Sequence, residues 1–122
     1  MTISLDHTIV HSRDAKEAAN FLAELFGLPA PTPTGPFLAL RLDNGVTLDF
    51  DHMGSDVPIQ HYAFHVGDDD FDAIFARIRE RALPYWADPF HRRPGEINPH
   101  GGGRRIYFED PSGHNMEIFT EA

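Results

Sequence analysis

No cysteine occurs in the chain. Disulfides and thiolate ligands are therefore excluded, and any transition-metal site must use imidazole and carboxylate. The N-terminal stretch "MTISLDHTIV" lacks a secretory signal pattern, so the expectation is a cytoplasmic protein. No apolar run nears the roughly 20 residues that a membrane-spanning helix needs. Positive charge is scarce: ten Lys and Arg stand against nineteen Asp and Glu, a formal net charge of −9. That balance argues against nucleic acid and anionic membranes as partners. What remains is 122 residues, 41% hydrophobic, enough for a single domain with a real core. Eight histidines supply the imidazole that a metal site would need.

The chain repeats itself. "LDHTIVH" (5–11) lies over "IQHYAFH" (59–65) without a gap, placing His7 on His61 and His11 on His65. Each stretch reads as a strand followed by an amphipathic helix. Ala18, Phe21, Leu22 and Leu25 have the i, i+3, i+4, i+7 spacing of a buried stripe, and Phe71, Ile74, Phe75 and Ile78 repeat it. "GLPAP" and "ALP" end the two helices, since proline cannot continue one. Further on, "FLALRLDNGVTLDF" (37–50) lies over "RIYFEDPSGHNMEIF" (105–119), with Gly45 on Gly113, Leu48 on Met116 and Asp49 on Glu117. "DNG" and "PSG" read as hairpin turns. Each half has room for one more strand between helix and hairpin. The expected division is module 1 at about 1–53 and module 2 at about 58–122, within one domain spanning 1–122.

Each half then carries a His on its first strand and an acid on its last. Alternation sends Tyr62, Phe64 and Val66 to one face and His61, Ala63 and His65 to the other. If the halves pack about a pseudo-twofold axis, His7, His61, Asp49 and Glu117 converge into a donor set for a divalent metal. The competing reading pairs Glu117 with Arg104 or Arg105, because a buried carboxylate needs a partner.

At these residues the chain resembles the vicinal oxygen chelate superfamily, the glyoxalase/bleomycin-resistance/dioxygenase family. "LDHTIV" is similar to its opening strand, "QHYAFHV" to the strand that begins with a metal-binding His, and "RRIYFEDPSGHNMEIF" to its Y-F-x-DP-x-G-x-x-x-E segment. The resemblance implies an α+β fold of paired βαβββ modules curved around a cavity. It implies a metal on His7, His61 and Glu117, and a small-molecule substrate with two vicinal oxygens. A homodimer is expected, since open sheet edges call for a partner.

Several chemistries fit this frame. "NPHGGGRRIYFEDPSGHNME" (98–117) resembles the extradiol dioxygenase signature, which is slightly favoured for a catechol-like substrate. The resemblance gives His100 a place near oxygen or substrate and puts Tyr107 on a substrate oxygen. Fe2+ or Mn2+ would sit on the two-His-one-carboxylate set. Such dioxygenases carry an acid–base His on the strand that here reads "VTLDF"; His65 is the candidate substitute. A glyoxalase-like lyase or isomerase is the second possibility, with Asp49 as fourth ligand or general base and Zn2+ or Ni2+ as metal. A fosfomycin-type thiol transferase needs a cationic clamp, and the position near Ala87 is neutral. A metal-free drug-binding protein of the bleomycin-resistance kind is a fourth possibility, although the ligand positions are kept.

The segment 86–103, rich in Pro and Gly, reads as a binding loop or a solvated turn. The acids of "GDDDFD" (67–72) are expected to cap the second helix. His11, His52 and His114 read as surface or turn residues.

Overall fold

A computed structural model describes residues 2–121; the side chain of His100 lies outside that description. The fold is α+β, and the chain divides into two compact units, Met1–Pro58 and Ile59–Ala122.

The first unit runs β1 (His7–Ser12), α1 (Ala15–Phe26), β2 (Thr32–Thr34), β3 (Phe37–Arg41) and β4 (Thr47–His52). Asp14 starts α1 by accepting the Glu17 N–H at 3.1 Å, and Gly27 ends it in the left-handed conformation. The sheet order is β1-β4-β3-β2, with β1 parallel to β4 and the other pairs antiparallel. Alternation gives this sheet two faces. Val10, Leu40, Leu48 and Phe50 are buried with Leu22 and Leu25 of α1. His7, Ile9, Thr47, Asp49, Ala39 and Arg41 lie on the face away from the helix.

The second unit runs β5 (His61–His65), α2 (Asp68–Glu80), a one-turn 3-10 helix (His100–Gly102), β6 (Arg105–Glu109) and β7 (Asn115–Phe119). Its order is β5-β7-β6, β5 parallel to β7 and β6 antiparallel to it. Phe71, Ile74 and Ile78 of α2 are buried, as are Ile106, Phe108, Met116 and Ile118 of the sheet. Arg104 ties the start of β6 to α2 through Asp72 at 2.6 Å and Asp68 at 3.2 Å, with its guanidinium over the Phe71 ring. The α2 acids do not cap the helix: Gly67 is the N-cap residue, with no side-chain bond, and Asp68, Asp69 and Asp70 fill the first turn. There they still favour the positive end of the helix dipole.

The two hairpin turns have one geometry. The Gly45 N–H donates to the Leu42 carbonyl at 3.0 Å, and the Gly113 N–H donates to the Asp110 carbonyl at 2.9 Å. Both glycines sit at φ +90°, a region that a side chain enters at a cost. Gly45→Ala and Gly113→Ala are each expected to lose about 1–2 kcal/mol in urea unfolding. The loss should be larger at Gly113, where a Cβ would meet Ile59 Cδ1 at 3.3 Å. Unchanged midpoints in both variants would mean that the turns relax out of this shape.

The halves differ in their extra strand. The first has β2; the second has only isolated bridges, from Trp86 to Pro94 and Tyr107 and from Asn98 to Arg105. Pro84, Pro89 and Pro94 donate no hydrogen bonds, so this segment cannot sustain a ladder.

Candidate metal centre

Glu117 is the residue on which the second unit turns. It lies mid-strand in β7, opposite Ala63 of β5 and Tyr107 of β6. Its side chain is only 6% exposed, yet both oxygens are engaged. His61 Nε2 lies 2.8 Å from Oε1, and Arg105 Nη1 donates to Oε2 at 2.9 Å. Two cross-strand donors thus offset the desolvation of this nearly buried carboxylate. Of the two partners the sequence offered, Arg105 pairs with Glu117, while Arg104 serves α2. Arg105 is further fixed over the Phe119 ring, 4.7 Å from its centroid.

Tyr107 completes this cluster. Its ring stands edge-on to His61, with centroids 5.9 Å apart. Burial raises its pKa most; an Arg105 hydrogen bond opposes this, and the nearby Glu117 charge reinforces it. The phenol therefore keeps its proton to higher pH than an ordinary tyrosine. In an alkaline absorbance titration a phenolic step above the ordinary tyrosine range is expected, and Tyr107→Phe is expected to remove it. A raised step that persists in the variant would overturn the assignment.

The other candidate residues divide between the units. In the first unit His7 is exposed, and its Nδ1 lies 2.8 Å from Asp6 Oδ2. That bond chiefly raises its pKa, helped by the charges of Asp6 and Asp49 against desolvation. Asp49 shares the His7 face and is half-buried. In the second unit His65 is exposed on the His61 face, with Nε2 3.0 Å from the Thr120 carbonyl. The side chain of His100 lies outside the described residues. Among the described residues, no group of three or more His, Cys, Asp or Glu side chains is disposed to hold a metal. The structure brings together two candidate donors, His61 and Glu117.

Those two donors suit a divalent cation. One is an imidazole nitrogen and the other a carboxylate oxygen. Their 2.8 Å separation is close to the ~3 Å expected of ligands at about 2.1 Å and right angles around one ion. Arg105 holds the second oxygen, leaving Oε1 as the donor on offer.

Three arrangements were not read from the sequence. His114 is fully buried: its Nδ1 accepts the Gln60 N–H at 3.0 Å and its ring meets Tyr62 edge-on. His11 lies 2.7 Å from Asp51 on the neighbouring strand. The segment after Trp86 is a closed turn. Asp88 accepts the N–H groups of Phe90, Arg92 and Arg93, Trp86 stacks on His91 at 3.7 Å, and His91 Nε2 reaches Asn115 at 3.1 Å. Desolvation works to raise the Asp88 pKa, but these N–H bonds win and lower it. Asp110 adopts the same local form, accepting from Ser112 and His114 on Oδ1. Its Oδ2 is buried without a partner, and burial raises its pKa. The shared signal was the Asp-Pro pair, which favours a turn closed by the Asp side chain.

The fold and the His-carboxylate pair define a class. The profile of the Glyoxalase/Bleomycin resistance protein/Dioxygenase superfamily matches residues 4–118, and the chain belongs to that superfamily. Its structure is similar to that of Oxidase ChaP-H1, with 55% identity and a TM-score of 0.96, covering 99% of this chain and 98% of the other. It is also similar to Glutathione transferase FosA of Serratia marcescens, with 31% identity over 97% of this chain and 81% of that protein. A more distant relative is Metallothiol transferase FosB of Shouchella clausii, 27% identical over 98% of this chain and 82% of that one. Among the described residues, no helix is long and apolar enough to cross a membrane.

Proposed function

We propose that this chain is a divalent-metal-dependent oxygen-using enzyme that acts on a small catechol-like molecule with two vicinal oxygens. The observation that carries the reading is the His61–Glu117 pair beside Tyr107. The 55% identity to a protein named as an oxidase favours redox chemistry over thiol transfer. Ala87, fully buried and neutral, offers no cationic clamp for a phosphonate.

In this reading His7, His61 and Glu117 hold Fe2+ or Mn2+ in a homodimer. When bound, the metal supplies open positions for a bidentate substrate and dioxygen. The chain supplies the rest. Arg105 orients Glu117 by occupying Oε2. Tyr107 keeps its phenolic proton and donates a hydrogen bond to a substrate oxygen. His100 or His65 moves the catechol proton.

A second reading is a glyoxalase-like lyase or isomerase. It is favoured by Asp49, which lies on the His7 face and has no hydrogen-bond partner among the described residues. Zn2+ or Ni2+ would then be the metal and Asp49 the base.

The deciding experiment is ferrous reconstitution without air, followed by oxygen uptake with a catechol panel. Uptake with a coloured ring-fission product is expected. No uptake with any catechol, together with Asp49-dependent proton exchange next to a carbonyl, would move the assignment to the second reading. Protein that binds no divalent metal would leave only the metal-free drug-binding role.

A further inference from the structure

The first unit carries a cationic cleft on the face that bears His7. Strand register puts His7 beside Thr47 of β4, and Thr47 opposite Arg41 of β3. The three residues form one row across three strands and share one face. Two strand spacings separate its ends, about 10 Å between the Cα atoms of His7 and Arg41. Beside the row is a cleft of about 340 Å³ lined by Pro29, Ala30, Thr32, Ala39, Arg41 and Thr47.

The lining has one character. It contains a guanidinium, two hydroxyls and three small apolar side chains; Asp49, opposite Ala39 on the same face, is not among the lining residues. Arg93, Arg104 and Arg105 each lie against an acid. Arg41 has no ion-pair partner among the described residues, in a chain where acids outnumber bases nineteen to ten. The hydroxyls of Thr32 and Thr47 likewise have no partner among the described residues. Nη2 of Arg41 lies 3.6 Å from where a Cβ on Gly45 would stand, so the guanidinium rests over the β3–β4 turn at the cleft. A guanidinium fork with flanking hydroxyl donors matches a planar carboxylate, and Pro29, Ala30 and Ala39 match the apolar body that carries it.

We propose that this cleft is a carboxylate-binding subsite, with Arg41 as the residue that selects an anionic substrate. Its placement of the opposite end of the ligand rests on the reading of His7 as a metal ligand. The row sets the length: vicinal oxygens at His7 and a carboxylate at Arg41 require a molecule longer than a bare catechol ring.

Calorimetric titration of the full chain tests this with three probes. These are 3-(3,4-dihydroxyphenyl)propanoate, its methyl ester, and 3-phenylpropanoate, which lacks the vicinal oxygens. The Mn2+-loaded protein is expected to bind the dihydroxy acid roughly five- to tenfold more tightly than its ester. Arg41→Met should abolish that preference, Arg41→Lys should keep part of it, and Thr47→Val should reduce it. Metal-free protein should bind 3-phenylpropanoate weakly, and Arg41→Met should remove that binding. Equal affinity for acid and ester in the unmodified chain, or an intact preference in folded Arg41→Met, would overturn the subsite. If neither catechol binds the loaded protein while 3-phenylpropanoate still depends on Arg41, the subsite stands and the metal reading of His7 falls.

Discussion

Glu117→Gln is expected to weaken divalent-metal binding by more than about 100-fold and to abolish any metal-dependent turnover. Losing a residue that merely supports a metal ligand typically costs about 10- to 100-fold in metal affinity. Glu117 is proposed as a ligand itself, so its loss should exceed that range. The amide keeps the shape of the side chain, so the position between Ala63 and Tyr107 stays filled. It cannot keep the charge, and Arg105 then faces a neutral oxygen where it had a carboxylate at 2.9 Å. Arg105 is partly exposed and can recruit water, so the stability cost should stay near 1–3 kcal/mol. Metal content by mass spectrometry and a competitive chelator titration would measure the effect. A variant that retains stoichiometric metal at unchanged affinity would remove Glu117 from the centre.

Phe50→Ala should produce the largest loss of stability, about 3–5 kcal/mol. Phe50 has no exposed surface, and it lies next to Asp49 in β4 with its ring on the α1 side of the sheet. Truncation leaves a void among Val10, Leu22 and Leu48 that the close-packed face cannot refill. For a chain of this length the thermal midpoint should fall by roughly 10–20 °C. Ile9→Ala is the matched control. Ile9 lies on the opposite face and is 43% exposed, so its loss should stay within about 0.5 kcal/mol. Equal shifts in the two variants would mean that the assignment of faces in the first sheet is wrong.

Much of this architecture was legible because the chain states it twice. Placing Gly45 on Gly113 identified two turns that share a backbone shape, and placing Asp49 on Glu117 put both acids on the face away from the hydrophobic stripe. Alternation sorted Tyr62 and Phe64 from His61 and His65. What escaped depends on partners distant in sequence. His114 follows a turn glycine and has polar neighbours, so nothing local shows that Gln60 and Tyr62 enclose it. The pairing of Glu117 with Arg105, not Arg104, follows from strand parity: Arg105, Tyr107 and Glu117 share a face, and Arg104 precedes the strand. The missing fourth strand of the second half was visible in principle, since three prolines interrupt its ladder.

The stacked pair of Trp86 and His91 has a practical consequence. Trp86 is the one indole in the chain, so all tryptophan emission comes from a ring lying flat against an imidazole. That imidazole is tied to Asn115, two positions before Glu117 on the same strand. The molecule therefore carries its own optical gauge. A ligand or ion that displaces β7 at Glu117 is expected to change the Trp86 emission through Asn115 and His91, a readout that needs no label.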